Sequence, residues 1–289
     1  MRKGRATLVL AVLVMGAAPA AAYEPDFINM RVPSQLEQGD LDLLFEHRFY
    51  GSVLDNPLQN LFGLQIGANV GFGARYMILP GLQAQFLYTT GGQDLSVGAG
   101  YGAWFKGLPF GVQADVELDS PLAAAGRAYS VFATVSAESV TLLKALTLSA
   151  EAGYDSYLNH LGAAVGVRVD MVPDLLALVG EVYPFFLLGG EQHPEDLGVT
   201  TAFSAGVMLS IGGHQFSLVA GNSYAMGDRQ LMAGAPPTGG IYQGFNIQRR
   251  FPQRAAGWER SEARNERKED GRPGGEGRGE QWPSGAVPA

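Results

Sequence analysis

Three absences bound what this chain can be. It has no cysteine, which excludes both a disulfide framework and an N-terminus anchored through a lipidated cysteine. After residue 22 it has no apolar run approaching the ~20 residues that a transmembrane helix needs. Lysine, the usual solvent-facing residue, occurs in 23–251 only as Lys106 and Lys144. A soluble β-protein needs a polar exterior, and this sequence has little material for one.

Basic charge is scarce as well. The chain has 20 Lys and Arg against 28 Asp and Glu. Three basic residues precede residue 23, and seven basic and seven acidic residues follow Phe251, which leaves ten basic and 21 acidic residues in 23–251. The acidity therefore belongs to the central region. Such a balance excludes nucleic acid as a partner, because phosphate binding requires an excess of Lys and Arg.

Residues 1–22 are predicted to be a secretory signal peptide. A basic stretch at 2–5 precedes an uncharged apolar run at 6–18, and an Ala-x-Ala cleavage site at 20–22 precedes Tyr23. The alternative is a transmembrane anchor, but the apolar run is shorter than the bilayer requires. We expect a mature protein that is exported through the inner membrane.

The central region alternates with period 2, as half-buried strands do. In Phe110–Asp119, one face is wholly apolar and the other carries Gly, Gln, Asp and Glu. The same pattern recurs along the chain and predicts an all-β fold, an antiparallel transmembrane β-barrel of about twelve strands. The predicted strands are 40–50, 64–78, 82–91, 94–105, 109–119, 128–138, 145–154, 161–171, 175–184, 200–211, 214–223 and 240–251.

The connections between these strands sort into two classes. Those after the second, fourth, eighth and tenth strands are tight, whereas those after the first, fifth, ninth and eleventh are long. Outer-membrane barrels have short periplasmic turns and longer outside loops, and an even strand number places both termini in the periplasm. The long connections are 51–63, 120–127, 185–199 and 224–239.

Two further observations favour a membrane barrel over a soluble barrel or sandwich. The polar faces are rich in Gly, Ser, Gln and Asn, which suit a lumen. Aromatic residues stand at strand ends, as in the girdles at the two membrane interfaces. The predicted girdle residues are Tyr50, Tyr76, Tyr88, Trp104, Phe105, Phe110, Tyr129, Tyr154 and Tyr183.

Charged residues on the polar faces are the main functional candidates. Buried together they would be costly unless paired or hydrated, so either a paired, water-filled or plugged lumen or a cation-favouring channel explains them. No plug-like insertion is predicted between the strands. The candidate lumen-lining residues are Glu46, Arg48, Arg75, Asp115, Glu117, Asp119, Glu138, Glu151, Asp155, Arg168, Asp170 and Glu181.

Two segments lie outside the predicted barrel of residues 40–251. Residues 23–39 are a polar lead-in. Residues 252–289 are rich in Gly, Pro, Arg and Glu and are predicted to be a disordered tail, because they cannot bury enough apolar surface to fold. A tail that binds a periplasmic or cell-wall partner is the alternative.

Catalytic and metal chemistry find little support in the sequence. His214, Ser217 and Asn222 suggest a hydrolase, but residues three apart on a strand point to opposite faces, so the histidine is poorly placed to activate the serine. The four histidines have no metal-ligand spacing and there is no cysteine, so no metal or cofactor is predicted. We therefore expect no enzyme activity.

Several local strings resemble a family of bacterial membrane-bound β-barrel domains of unknown function. The strings are 47–51, 60–64, 212–218, 221–223 and 244–251, and the resemblance covers about residues 28–251. It implies an outer-membrane barrel and carries no established activity. The predicted function is a passive pore for small cationic or neutral solutes in contact with outer-membrane lipid, and the alternative is a non-conducting structural or docking barrel.

Overall fold

The computed structural model describes the chain from residue 27 to residue 252 with short gaps. Thirteen strands and two short helices form there, and all strands belong to one sheet. The predicted signal peptide and the tail from residue 253 onward lie outside the described residues. The described ranges are 27–60, 67–91, 93–106, 108–121, 129–140, 142–143, 145–187, 199–237 and 239–252.

The element order is almost entirely β. The two helices are α1 (Pro57–Asn60) and α2 (Asp228–Met232). The strands are β1 (Leu41–Phe49), β2 (Ala68–Leu79), β3 (Leu82–Thr89), β4 (Asp94–Trp104), β5 (Phe110–Pro121), β6 (Ser130–Ser139), β7 (Leu146–Asp155), β8 (His160–Val172), β9 (Leu176–Tyr183), β10 (Phe185–Leu187), β11 (Ala202–Ile211), β12 (His214–Gly221) and β13 (Tyr242–Phe251).

The sheet closes into a barrel of twelve wall positions. Most strands pair antiparallel with their sequence neighbours, and β1 pairs with β13 to close the wall. The extra strand is only apparent: β9 and β10 pair with β8 in one continuous register, Val182 with Val165 and Phe185 with Gly162. Pro184 separates them because proline has no backbone N–H to donate. The predicted fold class is therefore confirmed.

Strand alternation sets the two faces of the wall. In β5, Glu117 is 3% exposed, whereas its neighbours Val116 and Leu118 are 56% and 50% exposed. The exterior is thus a broad apolar band, and the polar and charged side chains point into the lumen. Within the described ranges, no helix is long and apolar enough to cross a membrane.

Two of the predicted girdle residues point inward instead. Tyr183 is fully buried and donates a hydrogen bond to Glu181 at 2.9 Å. Trp104 contacts Gly111 inside the barrel. Residues two apart on a strand share a face, so Tyr183 follows Glu181 into the lumen. Tyr76, Tyr129 and other aromatic side chains remain exposed on the exterior.

The barrel has two distinct ends. At the terminal end, where β1 begins and β13 finishes, turns are tight, and the positive φ of Gly81, Asp174, Gly212 and Gly213 closes three of them. The opposite end, here the loop end, carries the long connections. The segment before β1 enters the barrel from the terminal end.

A lysine at Val116 tests the assignment of the faces. Val116 lies near the middle of β5 on the exterior. Val116→Lys should lower the free energy of unfolding by roughly 2–4 kcal/mol, the cost of a lysine on the lipid face near the bilayer midplane. Reversible unfolding in lipid vesicles measures it. The control is Leu143→Lys in the exposed β6–β7 connection, where Leu143 is 91% exposed. Equal destabilisation by both variants would contradict the assignment.

Candidate functional site

The predicted lumen-lining residues lie on the inner face of the wall. Arg75 and Asp170 are half-buried there. The remaining ten are buried: Glu46, Arg48, Asp115, Glu117, Asp119, Glu138, Glu151, Asp155, Arg168 and Glu181. They do not surround an empty channel, however, because two segments of the chain occupy the lumen with them.

The first of these is the inner segment, residues 27–36. Its apolar side chains Phe27, Ile28, Met30 and Val32 are at most 4% exposed and belong to one buried cluster. The wall makes room for them with glycines. A Cβ on Gly166 would stand 2.4 Å from Phe27 Cε1. The wall partners in the cluster include Ala177, Val179, Met208 and Val219.

Polar groups of the inner segment bind wall residues that would otherwise be buried without partners. The backbone N–H of Asn29 donates to Glu181 Oε1 at 2.9 Å, and Asn29 Nδ2 donates to Glu181 Oε2 at 3.0 Å. Arg48 donates to Asn29 Oδ1 at 3.0 Å and to Asn246 Oδ1 at 2.6 Å. A buried charge is tolerated only when it is paired and hydrogen-bonded, and this network meets that condition.

The second segment is the inward loop, residues 222–237, between β12 and β13. It enters from the loop end and carries α2. Leu231 and Met232 are at most 1% exposed, and Met232 lies in a hollow above Gly153 and Gly162, where an added Cβ would stand 2.9 Å and 2.6 Å from its side chain. The prediction that no insertion interrupts the strands is therefore wrong for this connection.

The two segments meet at Arg31. Its guanidinium pairs with Glu117 on the wall and lies 2.5 Å from Asp228 of the inward loop. Arg31 also stacks over the Phe132 ring, with 5.8 Å between the guanidinium carbon and the ring centroid. Glu151 accepts the backbone N–H of Arg31 at 3.3 Å. One arginine thus joins the inner segment, the inward loop and three wall strands, β5, β6 and β7.

Arg229 of α2 binds three aspartates on three wall strands. Its Nη2 lies 2.6 Å from Asp94, its Nη1 3.0 Å from Asp155 and its Nε 3.4 Å from Asp119. Burial alone would lower the pKa of Arg229, but the carboxylates of Asp119 and Asp94 raise it above its ordinary value. The guanidinium stays charged, and it neutralises the acidic rim where β4, β5 and β7 reach the loop end.

Among the described residues, cavities remain beside these segments. One of about 110 Å³ lies between the inner segment and the wall and is lined by Asp42, Glu46 and Asp228 among others. A second, of about 20 Å³, lies below Arg229. A third, of about 210 Å³, lies towards the terminal end beside Glu138 and Arg168. The first and third are large enough for several water molecules, and the third is lined mainly by polar groups.

Sequence reasoning missed five charged residues of the lumen: Arg31, Asp42, Asp94, Asp228 and Arg229. Signals were present for the two segments that carry Arg31, Asp228 and Arg229. The lead-in carries Phe, Ile, Met and Val in six residues, too apolar for a solvated segment, and the inward loop carries Met226, Leu231 and Met232.

The hydrolase candidates do not assemble into a site. Ser217 is buried on the inner face, whereas His214 stacks on Phe216 at 5.8 Å. Among the described side chains, no group of three or more His, Asp or Glu is arranged to hold a metal ion. Residues 188–198 of the long connection 185–199, including His193, lie outside the described residues.

Comparisons with known proteins agree with the sequence resemblance. The model of a family described as a membrane bound beta barrel domain (DUF5777) matches residues 138–251. The family identified from the sequence strings is thereby confirmed over these residues. No curated protein matches the chain.

Solved structures with some likeness are outer-membrane barrels. The KdgM porin is 10% identical, covering 73% of this chain and 99% of its own, with a TM-score of 0.45. An outer membrane channel from Pseudomonas putida F1 is 12% identical, covering 79% and 100%, with a TM-score of 0.45. The Acinetobacter baumannii outer membrane protein Omp33 is 9% identical, covering 75% and 100%, with a TM-score of 0.40. At these scores the likeness carries no argument about function.

A small substitution at Gly166 tests the packing of the inner segment. Gly166→Ala places a methyl group against the buried ring of Phe27, so it should destabilise the barrel by about 1–3 kcal/mol, the usual cost of overpacking. The matched control is Gly180→Ala in β9, where the nearest atom lies 3.7 Å away. Urea midpoints of the refolded proteins measure both. Tolerance of the Gly166 variant would show that Phe27 does not pack against this wall.

Proposed function

We propose that the protein is an outer-membrane pore of low conductance that favours small cations, and that the arrangement described above is its closed form. The loop end faces outward and both termini face the periplasm, so the tail after Phe251 is free to contact a periplasmic or cell-wall partner. Small neutral solutes would pass through the same pore.

The excess of buried carboxylates carries this proposal. Among the described residues, twelve carboxylates are buried, against two buried arginines, Arg48 and Arg168. Four more arginines are partly buried and paired with them: Arg31, Arg75, Arg229 and Arg250. An unneutralised buried carboxylate is very costly. Mobile cations supply the missing charge most directly, and the cavities lined by Asp42, Glu46 and Glu138 give them room.

A second candidate is a non-conducting structural or docking barrel. The observation that favours it is the apolar packing of the inner segment, which fills one side of the lumen with Phe27, Ile28, Met30 and Val32. In that case protons, rather than mobile cations, neutralise the excess carboxylates. The two candidates differ in a measurable property, the passage of ions through folded protein.

Planar-bilayer recording separates them. The pore proposal expects small current steps, with a reversal potential in a KCl gradient that indicates cation preference. Asp115→Asn should reduce that preference severalfold, because one charge at about 4 Å is worth about 1 kcal/mol even in water. Asp115 is 1% exposed inside β5. The matched control, Asp174→Asn, removes the same charge from an exposed turn and should change nothing.

Two results would overturn the pore. Folded protein that passes no current under any voltage would favour the structural barrel. Anion preference would contradict the proposal that the buried carboxylates attract cations into the lumen.

A further inference from the structure

We propose that the inward loop is the gate of the lumen and that Arg229 is its latch. This inference rests on the proposed pore, but the movement of the inward loop can be tested without measuring ion current. It distinguishes the two segments that fill the lumen: the inner segment is a fixed lining, and the inward loop is the part that moves.

The inner segment is held along its length. Its apolar side chains pack in the buried cluster, and Asn29 and Ser34 bind the wall through backbone N–H groups, to Glu181 at 2.9 Å and to Gln113 at 2.9 Å. Only the four residues 37–40 separate it from β1. Moving it would expose a large apolar surface, so we assign it no gating role.

The helix of the inward loop cannot hold itself in place. α2 has five residues, and its N-cap, Gly227, makes no side-chain capping bond. So short a helix is unstable alone and depends on contacts with its surroundings. Gly227 and Gly234, with φ of 81° and 98°, flank it. A positive φ is a backbone conformation that glycine adopts without strain.

Arg229 and Gln230 attach α2 to several wall strands at the loop end. Arg229 binds Asp94, Asp119 and Asp155, and Gln230 binds Asp94 at 3.0 Å and Thr89 at 3.3 Å. Without the guanidinium, three carboxylates would face one another across the loop end. Their repulsion, and their attraction for hydrated cations, would then favour an open mouth.

The inward loop separates two cavities of the lumen. Gly227 and Asp228 line both the cavity of about 20 Å³ below Arg229 and the cavity of about 110 Å³ beside the inner segment. Withdrawal of the loop would join the two cavities to each other and to the loop end. Arg31 would lose Asp228 but keep Glu117, so the inner segment would remain anchored.

The test uses the absence of native cysteine. Met226→Cys introduces a single thiol at a position that is 0% exposed in the inward loop. It is combined with Arg229→Gln or with the control Arg249→Gln, which removes the same charge from the exterior, where Arg249 stacks on Phe251 at 4.8 Å. A membrane-impermeant maleimide reports opening in protein folded in vesicles, and a heat-modifiable gel band verifies folding.

The latch predicts faster labelling in the Arg229 variant alone. The rate should rise about tenfold or more, the ratio expected when a charged hydrogen bond to a buried carboxylate is lost. Bilayer current should rise in the same variant. Faster labelling with no current in any variant would support the gate and reject the pore. Unchanged labelling in folded Arg229→Gln protein would overturn the gate, whatever the current.

Discussion

The structure depends on one constraint, the neutralisation of carboxylates that the wall turns inward. Strand alternation places Asp115, Glu117 and Asp119 on a single inner face, since their apolar neighbours must meet lipid. A carboxylate in such a place needs a cation or hydrogen-bond donors. The chain supplies Arg31 and Arg229, and each comes from a segment outside the wall. The two segments that fill the lumen therefore also neutralise its carboxylates.

This coupling explains why the two segments differ in character. The inner segment combines four apolar side chains with one arginine, so it both packs and pairs. The inward loop packs through Leu231 and Met232 and pairs through Arg229. Arg31 and Asp228 then join the segments at the centre. Cavities of about 110 Å³ and 210 Å³ remain beside the described segments, and carboxylates such as Asp42, Glu46 and Glu138 line them.

The wall could be predicted from the sequence because its pattern is local. Period 2 assigns Glu117 and Val116 to opposite faces without knowledge of any other strand, and turn residues such as Gly81 mark the strand ends. The contents of the lumen could not be predicted this way. Arg229 meets Asp94, 135 residues away in sequence, and no periodicity encodes that contact. Tyr183 was assigned to a girdle from its strand-end position, although its parity with Glu181 indicated the lumen.

The occupied lumen is the central claim, and chemical protection of one residue tests it most directly. Val32 lies in the inner segment and is 2% exposed. A single Val32→Cys variant, folded in vesicles, should resist a membrane-impermeant maleimide, while Leu143→Cys in an exposed connection, 91% exposed, should react rapidly. Labelling of both cysteines at the same rate in folded protein would show an open lumen and contradict the account.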